Sequence, residues 1–190
     1  MKQNLAFLFK AMSLYGTLAI AFSFIGIFLP EKQTLESPLQ GLTIEHVGGH
    51  ILWGLIAGTA SLSLRYLLLT GSFAIILDVD HLINFVGLDA LSRMSHSIPF
   101  AILSSVIMIL VLDRRDYVLG AIAFAGVLVH ISFDIFTNAG KFPFFTPIYN
   151  GILSFQGADW ILFEFAAVAI VGSAAMLTKW QSMKKLEVRN

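Results

Sequence analysis

Residues 117–137 read YVLGAIAFAGVLVHISFDIFT. A run this long and this apolar is enough to cross a bilayer as a helix, which takes about 20 residues. Yet its last turns carry a histidine and an aspartate, His130 and Asp134, four apart and so on one face. Ionisable groups are costly in hydrocarbon and are kept there for a purpose. The stretch therefore predicts a membrane helix that brings ligand-type side chains into a protein interior.

The rest of the chain agrees with that reading. Mean hydropathy is +0.81. Charged residues make up 13% of the 190 positions, where a soluble domain has about 25%. Net charge is zero, so nucleic-acid binding has no electrostatic support. There is no cysteine, which excludes disulfides, thiolate metal sites and a cysteine nucleophile. Six apolar segments stand out, at 8–29, 46–62, 65–78, 96–112, 117–137 and 159–179. The expectation is an all-α, polytopic membrane protein of one domain, residues 1–190. The run from Leu5 to Leu29 is too long for a signal-peptide core and reads as an uncleaved first span. The third segment is short, which leaves open a re-entrant or tilted hairpin of the second and third. Residues 1–45 form an extra first span and loop, 46–148 a core, and 149–190 the last span with a basic tail.

Lys and Arg set the expected orientation. With a cytoplasmic N-terminus, Lys2, Lys10, Arg65, Arg114, Arg115, Lys179, Lys184, Lys185 and Arg189 lie inside, and Lys32, Arg93 and Lys141 outside. Nine against three favours both termini inside. Trp160 and Trp180 bracket the last span as interfacial anchors. Gly54 and Gly58 form a G-x-x-x-G that predicts close helix packing. Arg65 with Tyr66 reads as a cytoplasmic turn, and Asp113-Arg114-Arg115-Asp116 as a solvated loop.

Under that orientation all five histidines reach the outer face. His46 and His50 open the second segment, Asp78, Asp80 and His81 close the third, His96 opens the fourth, and His130 and Asp134 end the fifth. Imidazole with carboxylate is the ligand set of zinc and related divalent ions. Asp78 and His81, three apart, share a helix face, whereas Asp80 lies about 200° from Asp78 on a regular helix. Asp80 joins the same site only where the helix ends near Leu77. These eight groups suffice for one ion or for two sharing a carboxylate. Asp80 is also a candidate general base, and Arg93, three residues before His96, a candidate to stabilise an anion. Asp89, Asp159 and Glu164 are candidates to orient the ligands, Glu164 the best of them.

The motifs Gly49-His50-Ile51-Leu52, Leu77-Asp78-Val79-Asp80-His81, Ser95-His96-Ser97 and His130 to Gly140 with Pro143 occur in that order. Together they resemble the YdjM-like family of LexA-regulated, membrane-bound, metal-dependent hydrolases over about residues 45 to 148, with the first and last apolar segments outside the match. That family carries a G-H-x-x element, L-P-D-x-D-H, H-R-G-x-T-H-S and H-x-x-x-D-x-x-T-x-x-G-x-P. This chain departs from it at Leu77, where the family has Pro. It departs again at Leu91 and Ser92, which replace H-R, with Arg93 where the Gly would be. His46 has no family counterpart. The family is distantly similar to zinc-dependent phospholipase C and P1-type nucleases, which implies phosphoester chemistry.

The resemblance implies a hydrolase of the inner membrane. It would hold one or two divalent ions, zinc being the ion that suits the ligands, and act on a lipid or lipid-linked substrate at the outer face. The alternative is a non-catalytic metal site or an ion transporter. Transport needs polar groups along a path, and Ala101–Leu112 and Tyr117–Val127 are nearly bare of them. Five histidines are too few for a histidine-box di-iron enzyme, and no H-E-x-x-H protease motif is present.

Overall fold

A computed structural model describes residues 2–30, 43–86 and 91–187. Lys32, Asp89 and Arg189, named above, lie outside the described residues. Six α-helices account for most of the chain: α1 Lys2–Ser23, α2 Ile44–Gly58, α3 Leu64–Ile76, α4 Ile98–Leu112, α5 Tyr117–Phe136 and α6 Asp159–Glu187. Tight 3-10 turns extend α1 over Phe24–Phe28, α2 over Thr59–Ser61 and α3 over Leu77–Val86. A two-residue antiparallel pair, β1 Lys141–Phe142 with β2 Leu153–Ser154, closes the α5–α6 connection. The all-α reading and all six segments stand.

Side-chain caps explain the helix starts. Thr43 accepts from the His46 amide at 3.1 Å, Ser97 from Phe100 at 3.3 Å, and Asp116 from Leu119 at 2.9 Å. α5 stops where Asn138 turns left-handed, at φ +66. The caps of α2 and α4 fall beside His46 and His96, so two ligand-type residues sit at helix starts.

α5 is buried along nearly its whole length and is the hub of the bundle. It packs against α2, α3, α4 and α6, while α1 lies against α3, α4 and the 3-10 turns after α3. Three segments are long and apolar enough to cross a membrane, Asn4–Phe28, Tyr117–Phe136 and Asp159–Glu187; α4 is apolar but shorter. α2 and α3, of 15 and 13 residues, form a close pair. A Cβ on Gly54 would fall 2.6 Å from the Gly71 Cα, and one on Gly58 2.8 Å from the Leu67 Cα. Only glycine permits backbones to approach this closely.

The first helix shares the common core. Tyr15 donates to the Ala123 carbonyl at 3.1 Å and stacks on Phe73 at 4.2 Å. Beyond α1, the Gly26 carbonyl accepts from the Leu91 amide at 3.1 Å. Arg65 lies over Phe7 at 4.0 Å and pairs with Asp116 at 2.8 Å. Arg115 and Lys185 line one shallow pocket. These contacts gather one end of α1, α3, α5 and α6 into a charged end of the bundle. Asp116 corrects the solvated-loop reading of 113–116: it is buried, caps α5, and accepts from the Tyr66 hydroxyl at 2.6 Å as well as from Arg65.

Candidate metal centre

At the opposite end the ligand-type residues meet. α3 ends at Ile76, and the 3-10 turns from Leu77 bring Asp78, Asp80 and His81 to the same place. At about 3.0 residues per turn Asp78 and Asp80 lie about 120° apart the short way round, against about 160° on an α-helix. His81 Nε2 accordingly stands 3.8 Å from Asp78 and 3.7 Å from Asp80.

Asp78 lies between two sets of imidazoles. Its Oδ2 is 3.5 Å from His46 Nε2 and 4.0 Å from His50 Nε2, and its Oδ1 is 3.4 Å from His130 Nε2. His50 Nε2 is 3.4 Å from Asp134 Oδ1, and His130 Nε2 is 3.6 Å from Asp134 Oδ2. Two donors on one tetrahedral zinc, at about 2.0–2.1 Å each, stand about 3.4 Å apart. Three overlapping groups come near that spacing, their donor atoms lying within 4.8 Å of one another: His46 with His50 and Asp78, His50 with His130 and Asp134, and Asp78 with His96 and His130. Sharing of Asp78, rather than Asp80, is what the arrangement offers to a two-ion centre.

Proton placement makes the case for a cation. His130 Nδ1 stands 2.5 Å from the Ala74 carbonyl, an oxygen that can only accept, so Nδ1 carries the proton. Its Nε2 is then a bare lone pair, aimed at His96 Nε2 at 2.8 Å. The other nitrogen of His96 faces Asp80 Oδ2 at 3.4 Å, the carboxylate–histidine pairing that orients metal ligands. With His96 protonated at Nδ1, two lone pairs meet at 2.8 Å, and a cation bound by both nitrogens would relieve their repulsion. Both oxygens of Asp78, Asp134 Oδ1, Asp80 Oδ1 and both nitrogens of His81 are buried without a hydrogen-bond partner among the described residues. Such groups are expensive to bury, and a divalent ion satisfies them.

Asp80 and Arg93 have supporting places. Asp80 Oδ2 accepts from the Ser95 hydroxyl at 2.7 Å. Burial would raise the Asp80 carboxyl, but His96, His81 and Ser95 outweigh it and hold it down at about 2. Arg93, with φ +62, donates to Asp134 and to the Ala139 and Lys141 carbonyls, and stacks 4.7 Å over Phe142. Its contact with Asp134 leaves Oδ1 of that carboxylate for an ion. Glu164, in contrast, has no hydrogen-bonded carboxylate oxygen among the described residues and lies outside the three ligand groups. Asp159 caps its own turn, accepting from the Gln156 amide at 2.9 Å.

The sequence reading gave no role to Ser95, to the Ala74 carbonyl or to Phe133. Phe133 walls the site, 4.7 Å from the His50 ring and 5.8 Å from His46, and fills the space beside Gly49. Gly49 in the G-H element was the available signal. Ser95 stood in the S-H-S motif, where it serves Asp80 while Ser97 caps α4.

The family model described as YdjM inner membrane protein matches residues 42–188. The chain belongs to this family. The match runs past residue 148 and takes in α6, so the last helix is part of the YdjM pattern rather than an addition to it. α1 lies before the match, although it packs into the same core. No curated protein and no solved structure matches the chain.

Proposed function

We propose that the protein is a membrane-embedded, metal-dependent hydrolase acting on a lipid or lipid-linked phosphoester at the extracytoplasmic face, with both termini cytoplasmic. The observation that carries the metal part is the pair of imidazoles, His96 and His130, whose Nε2 atoms converge at 2.8 Å while Ala74 and Asp80 occupy their other nitrogens. His46, His50, Asp78, His81, His96, His130 and Asp134 would hold one or two ions, zinc being the best suited. When bound, a divalent ion supplies a Lewis acid and activates water at neutral pH.

The chain's own groups do the rest. Asp78 offers one oxygen to each side of the cluster. Asp80, ionised and held by Ser95, orients His96 and is a weak base. Arg93 holds Asp134 and supplies positive charge beside the site. His46 is half-buried while His50, His81, His96 and His130 are buried, which makes its side the approach for substrate. Burial of the other ligands also suits a second reading, a structural ion that pins α2, α4 and α5 to the turns after α3.

The full chain, purified with its metal and assayed on phosphodiester and acyl-ester lipids, tests both readings. Loss of hydrolysis in His130→Ala and Asp78→Ala, at retained folding, supports the hydrolase. A full complement of metal with no turnover on either class supports the structural ion.

A further inference from the structure

The α5–α6 connection leaves the histidine end of the bundle and has no charged residue from Phe142 through Ala158. The α4–α5 connection at the other end is Asp113-Arg114-Arg115-Asp116, charged at every position. Both join apolar helices, so composition separates two connections with similar tasks.

The uncharged connection is folded. Thr146 donates its amide to Pro143 at 3.0 Å, Ile148 to Phe145 at 2.9 Å and Tyr149 to Phe145 at 3.1 Å, while the Thr146 hydroxyl donates to the Tyr149 carbonyl at 3.2 Å. Phe155 donates to Gly140 at 2.7 Å. Irregular backbone does not face lipid within the hydrocarbon, so a turn folded on itself in this manner suits the boundary of the bilayer rather than its core. Its side chains face the other way. Phe145, Tyr149 and Ile152 are exposed, and Ile148 is 85% exposed. The connection packs on the start of α6, where Phe163 meets Phe144 at 5.7 Å and Phe155 at 5.1 Å, and α6 there exposes Ile161, Leu162 and Phe165 as well. An apolar patch of this kind in water would mark an interaction surface. Here it extends the surface of a helix long enough to cross a membrane.

The geometry points to a lipid leaflet as the partner of this connection: the side chains of Phe145, Ile148, Tyr149 and Ile152 enter the leaflet, while the backbone of 143–152 stays at the headgroup boundary and seats the histidine end of the bundle there. The seat is tied to the site, because the Phe144 carbonyl accepts from the Ile98 amide at 2.9 Å at the start of α4, and Phe142 stacks 6.0 Å from His96. Tyr149 suits the boundary, having an apolar ring and a polar tip.

The absence of native cysteine makes a direct test simple. Ile148→Cys in the full chain is spin-labelled and reconstituted in vesicles of phosphatidylethanolamine and phosphatidylglycerol. Collisions with oxygen, which concentrates in lipid, are compared with collisions with water-soluble chromium oxalate. Phe165→Cys serves as the lipid-facing control and Arg114→Cys as the water-facing one. The expected ratio of oxygen to oxalate collisions at 148 is several-fold that at 114 and close to that at 165. Tyr149→Cys repeats the measurement in case the first label perturbs the turn. Ratios at 148 and 149 matching that at 114 would overturn the proposal. The readout needs neither bound metal nor turnover, so its failure is separable from failure of the hydrolase reading.

Discussion

His130 donates its Nδ1–H to the Ala74 carbonyl at 2.5 Å, and so a backbone oxygen on α3 decides which nitrogen α5 presents to the cluster. The tautomer is set by the packing of two helices and not by the ligand. Asp80 does the same for His96 from the turns after α3. Two ring orientations are thus fixed before an ion arrives, which lowers the cost of binding one.

Asp80→Asn isolates this effect. The side chain keeps its shape but loses the charge that orients His96, so metal affinity should fall on the order of 10–100-fold with the fold retained. Competition with a fluorescent chelator, alongside circular dichroism, measures both. Unchanged affinity would show that Asp80 does not act through His96.

Metal removal should destabilise the chain. Asp78, Asp80 and Asp134 each keep at least one buried oxygen without a hydrogen-bond partner. A single ion at 100-fold excess over its dissociation constant adds about 2.7 kcal/mol. Chelator treatment should lower the thermal midpoint in detergent, and zinc added back should restore it. A midpoint indifferent to chelator would argue against a bound cation in the folded protein.

Gly49→Ala should disturb the site through a neighbour. The added methyl overlaps the Phe133 ring, which lies against His50 and His46. Overpacking of this kind costs about 1–3 kcal/mol. Metal affinity should drop with stability, and Phe133→Leu on the same chain should recover part of both. The double-mutant cycle reads the coupling directly.

The charged end offers the converse case. Asp116→Ala removes the cap of α5 and the acceptor of both Arg65 and Tyr66. The loss should be about 2 kcal/mol, given a cap worth about 1 and a partly exposed ion pair. Metal content should stay the same, because the residue lies at the far end of the bundle. Elemental analysis beside thermal unfolding checks the separation.

Much of this was legible in the sequence because hydrocarbon-length apolar runs leave few alternatives. The six helices fall where the runs fall, and ligand-type residues such as His46 and His130 sit at or near run ends. Asp80 shows the limit. Its inclusion depended on where α3 gives way to tighter turns, and no local signal marks that point beyond the loop-like residues after His81. Asp116 was misread because its partners, Arg65 and Tyr66, are some fifty residues away along the chain. Phe133 had no mark of its own, since an aromatic in an apolar helix is ordinary; the signal lay in Gly49, whose facing residue the sequence does not name. The uncharged connection after α5 was visible in composition, but its bearing on the site came only from the Phe144–Ile98 hydrogen bond.

The ligand groups span from His46 on α2 to Asp134 near the end of α5. During synthesis the set is incomplete until the fifth helix has entered the bilayer. Until then Asp134 and its pair with Arg93 are missing, and of the three groups only His46 with His50 and Asp78 has all its members. An ion held by the full set would therefore come late in assembly, only after α5 has joined the earlier helices, and a chain stalled before that point would lack it.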